Sequence, residues 1–328
     1  MKTAIVTGVN GQSGSTLSDI LIDKGYKVVG VSRRRSVGGL DNILHLLDNE
    51  QFYLEDGDIT DSGSINRIVE KHSPDEFYNL AAQSFVMSSW SQPSLTAQVT
   101  AIGVLNCLES IRNVKPDTKF YQASSSEIFG KVQEMPQRLS TPHYPRSPYG
   151  VSKLFGYWMT INYRESHGLF ACNGVLFNHE GPRRGLEFVT RKISDGVAQI
   201  ALKGGGKIGL GNIDARRDWG LADDYMEAAY LMLQQAVPED YIIATGEAHS
   251  IREFLEIAFK YVGLNYENHI YIDENFIRPA EVDILLGDAS KAHEKLGWRP
   301  KCTFEELVHK MVEADLQRWK EKLSSGVK

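Results

Sequence analysis

The stretch Thr3-Ala4-Ile5-Val6-Thr7-Gly8-Val9-Asn10-Gly11-Gln12-Ser13-Gly14 decides the fold. Five β-prone residues run into three glycines spaced GxxGxxG. A helical pattern follows, with apolar residues at Leu17, Ile20 and Leu21 and a stop at Lys24-Gly25. Glycine permits a tight turn and close approach of the backbone to a ligand. The N–H groups that open the helix then face a phosphate. In this strand–turn–helix context the spacing predicts a dinucleotide site at Gly8, Asn10, Gly11, Gln12, Ser13 and Gly14.

Outward from this unit the alternation repeats. Strands are expected at Lys27–Ser32, Gln51–Glu55, Glu76–Leu80 and Lys119–Ala123, with helical patterns around Asp61–His72 and Thr96–Arg112. Strand and helix in alternation mean a parallel sheet covered on both faces, a doubly wound Rossmann arrangement. The second half is less regular. A helix is expected from Pro148 to Ser166, a strand at Leu169–Leu176, and helices at Asp223–Gln235, Ile251–Val262 and Phe304–Lys320. With no clear linker, residues 1–176 are expected to form mainly the dinucleotide-binding domain. Residues 177–328 form mainly a smaller C-terminal α/β substrate-binding region, with some segments returning to the first.

Composition narrows the function. The 328 residues are 42% hydrophobic and 24% charged, an ordinary globular balance that argues against disorder. Thirty-six basic against 42 acidic residues give a net charge of −6, which argues against broad nucleic-acid binding. Cys107, Cys172 and Cys302 form no CxxC pair, so a reducing cytoplasm fits. The first residues lack a signal-peptide layout, and no apolar run approaches membrane-spanning length. The nine histidines form no HxH or HExxH pattern, so no metal is expected.

The tip of the second strand carries Ser32-Arg33-Arg34-Arg35-Ser36 and no acid. An acidic residue there would bond a ribose 2′-OH, whereas arginine accommodates a 2′-phosphate, so Arg33, Arg34 and Arg35 favour NADP. The plainer alternative is a solvated basic loop. Asp58-Ile59 follows the third strand and is placed to meet the adenine edge.

Tyr149 and Lys153 form YxxxK, which on a helix puts both side chains on one face. A lysine ammonium near the phenol would lower its pKa and make it a base. Ser125 and Glu127 lie at the end of the Lys119–Ala123 strand, on the carboxyl edge where such sheets bind ligands.

Together these features resemble the short-chain dehydrogenase/reductase superfamily, in its extended nucleotide-sugar branch, and within it the GDP-mannose 4,6-dehydratases. The resemblance spans nearly the whole chain. It is carried by Leu80-Ala81-Ala82-Gln83-Ser84, Ala123–Gly130, Tyr144–Tyr149 and Asn162–Ser166, and further by Asn178–Gly185, Asp214–Gly220 and Arg278–Asp283. It implies that Ser125 takes a hydroxyl position usually held by threonine, that Glu127 is the dehydratase acid/base, and that Tyr149 is the base for sugar oxidation. Lys153 would bind the nicotinamide ribose. His179, Arg184 and the run from Leu80 to Ser84 would contact NADP. Ser84, Ser125, Glu127, Asn178, Lys192, Arg217, Arg278 and Glu281 would hold GDP-mannose. The resemblance also implies a homodimer or homotetramer, although the segment from Arg33 to Phe52 is shorter than the family's subunit-joining loop.

The chemistry asks for the same residue types. Oxidation at C4 of the sugar needs one base, and elimination of water across C5–C6 needs a second group at Glu127. A 4-keto-sugar reductase or epimerase needs only the serine, tyrosine and lysine, and is the main alternative. A non-catalytic NADP-sensing scaffold is a remote one. The plainer roles are a structural carboxylate for Glu127, a satisfied histidine for His179, and for Arg217 an ion pair with Asp218 or Asp223.

Overall fold

The computed structural model describes residues 1–36, 38–276, 282 and 284–325. Its first half runs β1 (Thr3–Thr7), α1 (Gln12–Asp23), β2 (Lys27–Ser32), β3 (Phe52–Asp56), α2 (Ser62–His72) and β4 (Glu76–Asn79), then α3 (Val86–Ser91), α4 (Pro93–Ala97), α5 (Gly103–Val114) and β5 (Lys119–Ser125). There follow α6 (Pro148–His167), β6 (Ala171–Leu176), β7 (Asn178–Glu180), α7 (Val189–Lys203), β8 (Ile208–Leu210), β9 (Arg216–Leu221) and α8 (Ala222–Leu233). The last elements are β10 (Tyr241–Ile243), β11 (Ala248–Ser250), α9 (Ile251–Tyr261), β12 (Ile270–Ile272), β13 (Ile284–Leu285), α10 (Ser290–Leu296) and α11 (Phe304–Ser324).

Seven parallel strands form the main sheet in the order β10-β6-β5-β4-β1-β2-β3. Alternation along β1 shows how the sheet is sealed. Ala4 and Val6 belong to one buried cluster with Leu17, Leu21, Met226 and Leu233. Ile5 belongs to the other, with Ile65, Ile68, Val104, Leu108 and Ile111. Successive side chains point to opposite faces, so a near-continuous apolar strand fits a sheet covered on both sides. The chain order runs outward one way from β1 through β2 and β3, and the other way through β4, β5 and β6. The carboxyl ends of β1 and β4 therefore flank a switch-point crevice, where such sheets bind ligands.

α6 begins and ends where the sequence indicates. Ser147 caps it by accepting from Gly150 N at 3.0 Å, Pro148 occupies the first turn, and Gly168 ends it at φ +68°. The helix expected over Thr96–Arg112 lies within one continuous helical run from Pro93 to Val114, widened in its middle. Pro93 opens α4 at a position that lacks a donor, and a π-turn over Gln98–Ile102 precedes α5. Within that turn, the buried Thr100 Oγ1 accepts from Gln83 N at 3.1 Å. The widened turn thus satisfies a backbone donor of the loop after β4.

The remaining elements build a second lobe. β9 pairs with β7, β11 and β13, while β8 pairs with β12. Helices α7, α9 and α11 enclose a third cluster that includes Ile193, Val197, Phe254, Phe259, Leu307 and Met311. β7 follows β6 with only Phe177 between them, and β10 returns to pair with β6. The second lobe is thereby tied directly to the carboxyl edge of the main sheet.

Candidate active site

A cavity of about 330 Å³ lies between the two lobes at that edge. The glycine turn forms one wall. Gly8 has φ +65°, and a Cβ there would come within 2.9 Å of Ala81 Cα. A Cβ on Gly14 would come within 2.3 Å of Gly8 O. Hydrogen is therefore the only side chain these two positions accept. Gly11 caps α1 without a side-chain hydrogen bond, and no acidic residue occupies the first turn. The opening amides of a twelve-residue helix thus face the cavity wall formed by Gly11, Gln12, Ser13 and Gly14. This donor set fits a pyrophosphate.

The other residues expected at the dinucleotide divide into two groups. Leu80, Ala82 and Ser84 line the cavity. Ala81 and Gln83 sit behind it: Ala81 N donates to Thr7 Oγ1 at 3.1 Å, and Gln83 Nε2 donates to Phe85 O. Asn10 braces the following loop through Nδ2 to Gly39 O at 2.9 Å. Arg33, Arg34 and Arg35 are exposed just beyond β2, with the Arg35 side chain against Gly39. The Asp58 carboxylate accepts from Thr60 N and Oγ1. The Ile59 side chain is buried in the core against Gly103, so it supplies packing there.

The proposed catalytic groups converge. Ser125, Glu127, Tyr149 and Lys153 all line the cavity. Ser125 Oγ accepts from Glu127 N at 3.2 Å, and its hydroxyl lies near the Tyr149 phenol and favours its ionisation. Lys153 shares a face of α6 with Tyr149, as the YxxxK spacing suggests. Its Nζ donates to Ala123 O at 2.7 Å and stands 5.8 Å from the Tyr149 ring centroid. Burial dominates both groups. It pushes Tyr149 up to about 12, partly offset by the Ser125 hydroxyl and the Arg184 charge, with the Glu127 charge adding to the rise. It brings Lys153 down to about 8.

From the second lobe come Asn178, His179, Arg184, Lys192 and Arg217. Burial, reinforced by the Arg184 charge, holds His179 near 3, so its ring is neutral. Nδ1 lies 3.1 Å from Phe177 O and must carry the proton, so Nε2 accepts from Ser13 Oγ at 2.8 Å. His179 thus joins β7 to the glycine turn, aided by Gln12 Nε2 donating to His179 O at 3.0 Å. Arg184 pairs with the buried Glu180 at 3.0 Å, and its guanidinium lies 3.5 Å from the Phe188 ring centroid. Arg217 is buried at the cavity wall and donates to Arg216 O at 2.8 Å. The neighbouring Asp218 carboxylate accepts from Thr245 N and Oγ1 and from Gly246 N. Arg278 and Glu281 lie outside the described residues.

Comparison with known proteins agrees with this arrangement. The family described as GDP-mannose 4,6 dehydratase matches residues 5–311. The chain belongs to the GDP-mannose 4,6-dehydratase family. GDP-mannose 4,6 dehydratase 1 of Arabidopsis thaliana is 50% identical over 326 residues, covering 96% of this chain and 90% of the relative. Among solved structures, dTDP-glucose 4,6-dehydratase from Bacillus anthracis in complex with NAD has a TM-score of 0.85 at 22% identity, with 100% of both chains covered. RMD from Pseudomonas aeruginosa complexed with NADPH has a TM-score of 0.80 at 21% identity, covering 97% of this chain and 100% of the other. At these identities the two structures establish the shared fold.

Within this dehydratase site, three aromatic residues went unrecognised in the sequence. Phe85 and Phe188 meet edge to face in the cavity lining with ring centroids 5.8 Å apart, and Lys192 Nζ lies 3.4 Å from the Phe276 ring centroid. All three sit in loops or at helix starts, where no periodicity marks them.

The electrostatics of Lys153 give a testable sign. Its folded-state pKa of about 8 lies below its ordinary value of 10.5, so the unfolded chain binds the proton more tightly. The resulting penalty is full below pH 8 and fades as pH rises towards 10.5. Ala123 O also accepts from Gln122 Nε2 at 3.0 Å, so it keeps a partner without the lysine. Lys153→Met is therefore expected to be more stable than the parent at pH 7 by about 1–3 kcal/mol. Urea unfolding at pH 7 and pH 10 checks this: the advantage should shrink at the higher pH, and a destabilised variant at pH 7 would refute it.

Proposed function

We propose that this chain converts GDP-mannose to GDP-4-keto-6-deoxymannose and water, with NADP as a recycled cofactor. The observation that carries the reading is the presence of a carboxylate, Glu127, beside Ser125 and Tyr149 in one cavity. An epimerase or reductase needs no such second acid/base.

The glycine turn and the amides of α1 would hold the pyrophosphate, and Lys153, anchored on Ala123 O, would reach the nicotinamide ribose. The bound nicotinamide supplies a hydride acceptor for the first step and a hydride donor for the last. Tyr149 takes the C4 hydroxyl proton. Its raised pKa means that it holds a proton firmly afterwards, and the Ser125 hydroxyl favours the phenolate beforehand. The C4 ketone acidifies the C5 proton. Glu127 removes that proton and protonates the departing C6 hydroxyl, and the proton taken up by Tyr149 is returned, by way of Glu127 or solvent, to C5 as C6 is reduced. Asn178, Lys192 and Arg217 line the second-lobe wall and would orient the sugar nucleotide. Arg278 and Glu281 join them on the strength of the family resemblance alone. In this division of labour, residues 1–176 mainly hold the cofactor and residues 177–328 mainly the substrate. Three free cysteines suit work in the reducing cytoplasm.

Separating the two acid/base roles tests this reading. Glu127→Gln should bind GDP-mannose yet lose about 10²–10⁴-fold in dehydration and in exchange of the C5 proton with deuterated solvent. Tyr149→Phe should stop before any reduced cofactor appears. Near-normal dehydration by Glu127→Gln would favour the reductase or epimerase instead.

The preference for NADP over NAD follows from the exposed Arg33-Arg34-Arg35 run at the β2 tip, where no carboxylate competes for a 2′-phosphate. Arg34→Ala should weaken NADP by about one to two orders of magnitude and leave NAD nearly unchanged in a binding titration. Equal losses for both would contradict the preference.

We also propose a homodimer or homotetramer. Val151, Phe155 and Trp158 of α6, with Trp90 and Leu95 of the helices packed beside it, expose apolar surface on one side of the main lobe. Such a patch suits association with a second copy. Light scattering should give two or four times the 36.7 kDa chain mass, and a monomer at working concentration would exclude it.

A further inference from the structure

The segment from Gly181 to Phe188 links β7 to α7 and carries Arg184 into the cavity wall. A loop of this kind is held only as firmly as its backbone polar groups are partnered. Arg183 O accepts from Asn42 Nδ2 and Arg184 N closes on Gly181 O, while Pro182 O and Arg184 O are held from within the second lobe. Arg191 Nη1 donates to Pro182 O at 3.1 Å and to Arg184 O at 2.8 Å, and Arg318 Nη2 donates to Pro182 O at 2.6 Å. Two guanidiniums, one from α7 and one from α11, thus bracket the turn that aims Arg184.

Both guanidiniums are in turn oriented by one carboxylate. Asp315, on α11, has no solvent exposure. It accepts from Arg191 Nε at 3.0 and 2.9 Å and pairs with Arg191 Nη2 at 2.8 Å. It also accepts from Ser194 Oγ at 2.6 Å and from Arg318 Nη1 at 2.8 Å. A planar guanidinium fixed on one edge by a carboxylate presents its remaining N–H groups in a set direction. Neither Asp315 nor Arg318 lines the cavity, so any effect on the site passes through the loop.

We infer that Asp315 is a positioning residue: through Arg191 and Arg318 it fixes the Pro182–Arg184 backbone, and so sets the Arg184 guanidinium at the cofactor side of the cavity. This rests on the reading of Arg184 as a dinucleotide contact. It gives the C-terminal helix a part in cofactor affinity, beyond its packing in the second-lobe core. The Glu180 pair and the stack on Phe188 hold the Arg184 side chain once its backbone is placed. The Asp315 network places the backbone.

A double-mutant cycle on cofactor affinity tests this. Fluorescence titration with NADPH would be run on the parent, Arg318→Met, Arg318→Lys, Asp315→Asn, Arg184→Met and the Arg318→Met/Arg184→Met pair, with urea unfolding measured in parallel. Arg318 is partly exposed, so Arg318→Met is expected to fold even if Asp315→Asn does not. The expected result is about a tenfold weaker Kd for Arg318→Met, partial recovery in Arg318→Lys, and a double variant no weaker than Arg184→Met alone. If Arg184→Met weakens NADPH but folded Arg318→Met does not, or if the two losses add, the positioning role is overturned while the reading of Arg184 stands. If Arg184→Met itself binds NADPH as the parent does, the underlying reading fails and takes the positioning role with it.

Discussion

A chain of buried hydrogen bonds across the carboxyl ends of three strands underlies the rest of the site. Thr7 Oγ1 donates to Asn79 Oδ1 at 2.7 Å, Asn79 Nδ2 donates to Gln122 Oε1 at 2.8 Å, and Gln122 Nε2 donates to Ala123 O at 3.0 Å. The same Thr7 oxygen accepts from Leu80 N and Ala81 N, and the same Ala123 carbonyl accepts from Lys153 Nζ. All three side chains are essentially inaccessible to water, so each unmade bond would leave a polar atom stranded in a low-dielectric interior. The glycine turn after β1, the cavity-lining loop after β4 and the lysine of α6 are therefore registered against one another by a single network.

Around this frame the site separates charge by burial. Lys153 and Arg184 bring positive charge into a cavity whose walls disfavour it. Burial weakens the hold of Lys153 on its proton, while Glu180 compensates Arg184 directly. His179 stays neutral because a further cation there would be both desolvated and repelled by Arg184. The neutral ring can then bridge Ser13 and Phe177, stitching the second lobe to the first. The Glu127 carboxylate is close enough to Tyr149 to oppose its ionisation. Once Tyr149 has taken the C4 hydroxyl proton, a neutral phenol stands beside a carboxylate, and Glu127 is left as the base for the elimination.

Much of this was legible in the sequence. The GxxGxxG turn, the alternation of strands and helices, and the Ser147-Pro148 start with the Gly168 stop of α6 rest on backbone rules that act locally. The convergence of Ser125, Glu127, Tyr149 and Lys153 followed from strand ends and helix periodicity. Other features depend on contacts far apart in the chain. The π-turn at Gln98–Ile102 answers a backbone donor at Gln83, and Ile59 turns into the core because Gly103 leaves room for it. Lys153 also donates to Ala123 O, since a helix fixes which side chains share a face but not which acceptor lies opposite. The Phe85–Phe188 pair joins two loops about a hundred residues apart, and no local pattern announces it.

The central claim is that one cavity oxidises C4 and reduces C6 of the same sugar without exchanging its hydride. Incubation of the enzyme with GDP-mannose carrying deuterium at C4, in ordinary water and without added NADPH, tests it most directly. The account predicts a product that has lost water and carries the deuterium at C6, transferred within the same molecule. Deuterium remaining at C4 in an otherwise unchanged sugar, or a product formed only when NADPH is supplied, would contradict it.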